Sequence, residues 1–336
     1  MSHDAATFAD INAIKADFND VYRRRDPRAY YEVLGALDYV IPEVACPIFA
    51  QLVERCVIER GRPITVLDIG CSYGVNAALL RHDITLRQLR ERYLSPSVQA
   101  LSPDQVAEYD GRFYSGWPAR TDVQFIGLDI SSEAIAYALE AGLLNDGAAT
   151  DLETEPLDDR TRSLIARADL VISTGCVGYI THATFEKVME ASGQSHEKPW
   201  IASFVLRMFD YDKIARGLAR HALVTEKLNS ATFVQRRFRD WTEQEQTISM
   251  LDARGVDPTG READGLLHAE LFVSRPEESV AATTLSEIVW LTYGVALPLG
   301  DRQRLPQSRK NEAAARHAPP TAASLAYDSL YTTAQT

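Results

Sequence analysis

Apolar residues recur at helical spacing through Ile48, Phe49, Leu52, Val53, Cys56 and Val57, and that period stops at Gly61. Residues 5–61 therefore read as helices, with Pro42 and Pro47 punctuating the approach to the last of them. After Gly61 a β-branched run at 64–69 ends abruptly at Gly70, the pattern of a strand buried on both faces. Further runs of this kind lie at 123–129, 170–173, 200–206, 232–238 and 268–274, with a short one at 148–150. The first five strands alternate with helix-length segments, among them 133–141 behind Ser132 as its cap, and this spacing demands parallel pairing. A helical stretch at 243–253 and a Gly/Pro-rich loop join the last two. The pattern predicts an α/β fold: a seven-stranded, mostly parallel sheet with helices on both faces.

Two segments depart from that rhythm. The connection 81–122 is long for a crossover and carries Pro96, Pro103, Gly111, Gly116 and Pro118 around two short helices, so it reads as a lid or a decoration. Beyond about residue 280 the periodicity weakens, and residues 302–336 hold few large apolar side chains, which predicts a tail without structure. The chain thus divides into an N-terminal helical cap (1–61), a core domain (62–280) and a C-terminal extension (281–336).

Composition narrows the function. A formal charge of −12 works against a polyanionic partner, so nucleic acid is not expected, and Arg23, Arg24 and Arg25 read as a solvated helix face. No apolar run is long enough to cross a bilayer, and the first twenty residues, with Asp4, Asp10, Lys15, Asp17 and Asp20, resemble neither a signal nor a transit peptide. The expectation is a cytoplasmic protein with a small-molecule substrate and no membrane partner. Cys46, Cys56, Cys71 and Cys176 form no CxxC pair, and His82, His182, His196, His221 and His268 lack metal-binding spacing, so no metal is expected.

The chemistry is concentrated at Val66-Leu67-Asp68-Ile69-Gly70-Cys71-Ser72-Tyr73-Gly74-Val75-Asn76, a strand, a glycine-bearing turn and a helix start. Glycines there let backbone approach a nucleoside, and the N–H groups opening the helix face a carboxylate. The segment resembles motif I of class I S-adenosylmethionine-dependent methyltransferases, with Ser72 where the family's middle glycine stands. Downstream, Phe125-Ile126-Gly127-Leu128-Asp129-Ile130 ends a strand in an acid able to accept both ribose hydroxyls, farther along than usual because of the 81–122 insertion. Asp151-Leu152 follows the third strand, and Ser173-Thr174-Gly175 ends the fourth.

The resemblance implies a Rossmann-like fold with S-adenosylmethionine as cofactor. In its terms Asp68 orients the amino-acid end and Gly70 and Gly74 admit the ligand. Asp129 accepts the ribose hydroxyls, Asp151 receives the adenine amino group with Leu152 packing on the ring, and Cys71, Ser72, Asn76, Ile130, Ser173 and Thr174 complete the cofactor site. Taken singly, Asp151 reads equally well as a turn cap. The fourth strand continues as Cys176-Val177-Gly178-Tyr179 and not as an Asn-Pro-Pro-Tyr motif, which disfavours methylation of a nucleobase amine.

For the reacting end, Tyr30, Tyr31, Asn145, Tyr179, Ser203 and Arg207 are the candidates. Aromatic faces attract a sulfonium, and a guanidinium suits a carboxylate-bearing substrate. The bland alternatives are packing for Tyr30 and Tyr31, a structural ion pair for Arg207 and a helix cap for Asn145. The expected reaction is methyl transfer to a small, carboxylate-bearing metabolite of secondary metabolism. The paired tyrosines, Asn145, Tyr179 and Ser203 also resemble the azetidine-2-carboxylate synthases, in which the cofactor's amine attacks its own γ-carbon and methylthioadenosine leaves. A third reading is a non-catalytic cofactor-binding protein.

Overall fold

The computed structural model describes residues 19–193, 197–292 and 295–296. The helices expected before residue 19 and the tail at 302–336 lie outside them. Eight strands form one sheet: β1 (Ile64–Ile69), β2 (Val123–Asp129), β3 (Asp146–Ala149), β4 (Leu170–Thr174), β5 (Trp200–Leu206), β6 (Leu223–Lys227), β7 (Phe233–Arg237) and β8 (Leu266–Pro276). Their order is β3-β2-β1-β4-β5-β8-β6, with β7 also on β8. Strands β1 to β5 pair in parallel, and β8 runs antiparallel between β5 and the β6/β7 edge.

Helices cover both faces. The apolar residues of β1, β2, β4 and β5 divide by parity: Val66, Phe125, Leu170 and Phe204 join one core, and Leu67, Ile126, Val171 and Val205 the other. This is the doubly wound architecture that the class I methyltransferase resemblance implies.

The helices are α1 (Asn19–Tyr22), α2 (Arg28–Val33), α3 (Ile41–Arg60), α4 (Val75–Arg81), α5 (Leu86–Tyr93), α6 (Pro96–Gln99), α7 (Pro103–Ser115), α8 (Ser132–Glu140), α9 (Asp159–Ile165), α10 (His182–Ser192), α11 (Asp212–Ala219), α12 (Trp241–Ala253), α13 (Glu277–Ala282) and α14 (Leu285–Ile288). Several differ from the sequence reading in instructive ways. Helix α3 runs through Pro47 and covers the sheet, with Ile48, Phe49, Leu52 and Cys56 fully buried and Phe49 edge-on to Phe204 at 5.4 Å. Each such side chain contributes about 1.5–3 kcal/mol. The long connection holds three helices, two of them entered through capping boxes at Thr85/Gln88 and Ser102/Gln105. Ser131, one residue earlier than expected, caps α8 by accepting from the Ala134 N–H at 3.1 Å.

The sheet has one strand more than the pattern suggested. Leu223–Lys227 sits at the edge with only one end buried, so its sequence carries no apolar run. It and β7 lie end to end along β8, an edge interrupted at residues 228–232. Part of the C-terminal extension is also built into the fold: Leu285, Ile288 and Val289 are buried in the core that holds α3, and the Trp290 N–H donates to Gln51 Oε1 at 2.8 Å. No single helix among the described residues is long and apolar enough to cross a membrane.

Candidate functional site

Strand order reverses between β1 and β4, because the chain moves outward through β2 and β3 and then returns to the other side of β1. A crevice opens at the carboxyl ends of strands where such a switch occurs. There the sequence places Asp68, the Gly70–Gly74 loop, Asp129 and Thr174.

The loop is tight because of its backbone. Gly70 and Gly74 have φ of 70° and 76°, and Ser72, which has a side chain, is held at 50°. Such a conformation costs a non-glycine residue on the order of 1 kcal/mol. It turns the Ser72 N–H onto Asp129 Oδ2 at 2.8 Å, so the acid ending β2 holds the loop after β1. The other oxygen, Oδ1, accepts from the Ser131 N–H at 2.9 Å. Gly127 permits this approach, since a Cβ there would lie 2.6 Å from Cys71 Sγ.

Asp68 is fully buried and accepts from Asn76 Nδ2, 3.2 and 3.1 Å from its two oxygens; the same amide also reaches Thr174 Oγ1 at 3.1 Å. Burial pushes its carboxyl up to about 8, against the pull of Asn76, and nearby Asp129 adds to the rise. Asp129 is itself raised by burial, which the N–H groups of Ser131, Ser72 and Ile130 partly offset. Neither acid has an ion-pair partner among the described residues. Ser72 Oγ, Asn76 Oδ1 and, on β7, Gln235 Oε1 are buried without a hydrogen bond. The crevice thus offers two uncompensated acids, a backbone cradle and unsatisfied polar atoms. That set suits a ligand with a cationic end and hydroxyls.

Aromatic side chains gather beside it. Tyr30 lies edge-on to Tyr22, Tyr31, Tyr39 and Tyr73 at 5.1–6.2 Å. Tyr22 and Tyr39 are within electrostatic reach of Tyr179, Tyr22 also of Asp129, and Tyr39 and Tyr30 also of Asp68. The segment is strapped down: the Tyr73 hydroxyl donates to the carbonyls of Val21 and Arg24, both at 2.8 Å, and Ser131 Oγ donates to the Tyr22 carbonyl at 2.6 Å. Ile130 is 74% exposed, and Leu152 is buried beneath the neighbouring strands. The Asp151 carboxylate holds its own turn, accepting from the Glu153 and Thr154 N–H groups at 2.9 and 3.1 Å and from the Thr154 hydroxyl at 2.5 Å, which is the turn-cap role.

Three of the residues expected at the reacting end are elsewhere. Asn145 sits toward the opposite end of the sheet, where its Oδ1 accepts from the Phe125 N–H at 2.9 Å and from Arg81, because strand β3 begins beside it and draws it level with the third residue of β2. Ser203 is sealed in the sheet, accepting from Ser173 Oγ at 2.9 Å and from the Tyr211 hydroxyl at 3.4 Å, so Ser173 is also turned away from the crevice into this buried hydroxyl cluster. Arg207 is buried against Glu262 at 2.5 Å and the Asp257 carbonyl at 2.9 Å, a structural ion pair. Of the five residues that carried the likeness to azetidine-2-carboxylate synthases, Tyr30, Tyr31, Asn145, Tyr179 and Ser203, two, Asn145 and Ser203, thus lie away from the crevice. Sequence reasoning missed Tyr22, Tyr39 and Gln235, which no local motif marks.

No protein-family model matches the chain, and no curated protein matches it. Among solved structures, similarity is found to a TehB-like SAM-dependent methyltransferase from Corynebacterium glutamicum (13% identity, 66% of this chain and 86% of that one, TM-score 0.28). It is found too with the 1,6-didemethyltoxoflavin-N1-methyltransferase of Burkholderia thailandensis, bound to 1,6-didemethyltoxoflavin and S-adenosylhomocysteine (12%, 70% and 80%, 0.33). A third is the N-methyltransferase NodS of Bradyrhizobium japonicum in complex with S-adenosylhomocysteine (10%, 81% and 98%, 0.33). At such identities and scores none of them bears on what this chain acts upon.

Proposed function

We propose that the chain is an S-adenosylmethionine-dependent methyltransferase acting on a small, carboxylate-bearing molecule. The observation that carries this reading is the pair of acids outside any ion pair, Asp68 fully buried and Asp129 half-buried, at the ends of β1 and β2 around a glycine cradle. The residues fit the cofactor. Asp68 and Asn76 Oδ1 would meet its ammonium, Asp129 its ribose hydroxyls through the lone pairs left over from Ser72 and Ser131, and Ile130 would cover one face of the adenine. When bound, the cofactor supplies an electrophilic methyl on a positively charged sulfur.

The chain's own residues then position and shield. The chemistry the cofactor would supply is a displacement at that methyl, in which the bonding electron pair would stay with the leaving sulfur and the acceptor's proton would pass to solvent. Such a displacement needs alignment and a water-poor wall more than a dedicated base. The tyrosine faces of Tyr22, Tyr30 and Tyr39 supply that wall and favour the sulfonium. A net charge of −12 supports a small molecule over nucleic acid.

The test is incubation of the purified protein with S-adenosylmethionine, alone and with a pool of small carboxylic acids, followed by mass spectrometry of the nucleosides. S-Adenosylhomocysteine formed only with the acids supports methyl transfer. Methylthioadenosine from cofactor alone would replace it with cyclisation, and binding without either product would leave a cofactor-binding protein.

A further inference from the structure

A cavity of about 100 Å³ lies between the segment 30–40, the start of α3 and the first turns of α5. It is not the crevice at the glycine loop, but the two share a wall. Tyr30 and Tyr39 line the cavity and are within electrostatic reach of Asp68, and the Tyr30 ring is 6.2 Å from that of Tyr73 in the loop.

Its charged groups are not equivalent. Asp38 is taken by Arg237 at 2.5 Å. The Glu43 carboxyl is raised by burial, against the pull of the Leu86 and Arg87 N–H groups and the Arg87 charge. Arg87 pairs with Glu91 at 3.5 Å on the exposed side of the helix. Arg90 has no ion pair and no side-chain hydrogen bond within the described residues. Its guanidinium stem occupies the space a side chain at position 35 would fill, since a Cβ on Gly35 would lie 2.5 Å from Arg90 Nε. Tyr30 and Tyr31, both 4% exposed, and Tyr39 also line the cavity, and their hydroxyls make no hydrogen bond within the described residues.

A half-buried wall with one uncommitted guanidinium and three uncommitted phenols, facing Glu43 as its one carboxyl outside an ion pair, holds more donors than acceptors. We propose that this cavity is the second-substrate site and that it takes the carboxylate of a small acid, gripped by Arg90 with help from the hydroxyls of Tyr30, Tyr31 and Tyr39. The fork of Arg90 matches two carboxylate oxygens, and phenolic O–H groups supply the remaining donors. Tyr30 and Tyr39 then set the distance between that acid and the methyl group over Asp68. The inference rests on the cofactor reading for its meaning but names residues of its own.

The test uses the full chain saturated with S-adenosylhomocysteine and ligand-observed NMR with propionate and benzoate against propionamide and benzamide. The expected result is saturable binding of the acids at least tenfold tighter than of the amides. Arg90→Gln should lose that preference while keeping its affinity for S-adenosylhomocysteine, which certifies the fold, and Arg90→Lys should retain part of it. Equal binding of acids and amides, or an unaffected Arg90→Gln protein, would each overturn the site. Acids bound by a protein with no affinity for S-adenosylhomocysteine would uphold the carboxylate site and sink the cofactor reading instead.

Discussion

Because Asp68 is pushed up to about 8 by burial, it is largely protonated in the free protein at neutral pH. A ligand ammonium at that position favours the ionised form, so binding must expel the proton. Below pH 8 the affinity should then fall about tenfold per pH unit, about a hundredfold at pH 6, or about 2.7 kcal/mol. Calorimetric titration with S-adenosylhomocysteine from pH 6 to 8.5, repeated in two buffers of different ionisation enthalpy, reads both the slope and the proton released. Asp68→Asn cannot ionise and should flatten the profile, leaving only the titration of the ligand's own amine. The same slope in wild type and variant, or no proton released at pH 6.5, would refute the assignment of Asp68 to the cofactor's cation. The sign in the free protein is opposite. Asp68 contributes its full stability below the ordinary carboxyl value near 4, and that contribution is lost as pH rises through about 8, so Asp68→Asn should gain stability over wild type toward pH 9 in urea unfolding.

Asp129→Ala should weaken cofactor binding by about 1–3 kcal/mol through lost ribose contacts and release of the Ser72 N–H, with unchanged affinity in calorimetry counting against the ribose role. Arg207→Met should destabilise by about 3–5 kcal/mol in urea unfolding, because Glu262 is left buried and unpaired, and adding Glu262→Gln should recover most of it; a variant of wild-type stability that has lost turnover would put Arg207 at the reaction after all. Asn145→Ala should cost about 1–2 kcal/mol of stability from the orphaned Phe125 N–H and leave cofactor affinity unchanged, whereas a selective loss of turnover would restore it as a site residue.

The parts of the site that were legible in the sequence are those built from consecutive residues. A buried strand must end in a turn, the turn needs glycine, and the acid ending β2 lies beside it because parallel strands in register bring Asp68 opposite Gly127. Local chemistry dictates all of this. Arg207 was ambiguous because its partner, Glu262, is 55 residues away, and nothing in the neighbourhood of an arginine says whether a carboxylate will meet it. Asn145 was misplaced for a related reason: a residue after a helix reads as near the crevice or far from it depending on where the next strand begins, and β3 begins at Asp146, earlier than the pattern around 148–150 suggested. Gln235 and Arg90 were invisible because one reaches its position through an interrupted edge strand and the other through an insertion, neither of which carries a periodic signature.

The anchoring of Trp290 on Gln51 bears on how the chain is made. Helix α3 leaves the ribosome well before the residues that finish covering it, 285–290, which follow roughly 230 positions later. At about 5–20 residues per second, a nascent chain spends roughly 10–50 s with that apolar surface uncovered. A translation stop between residues 276 and 285 would leave it so permanently, and such fragments should be held by chaperones even though every strand of the eight-stranded sheet is present.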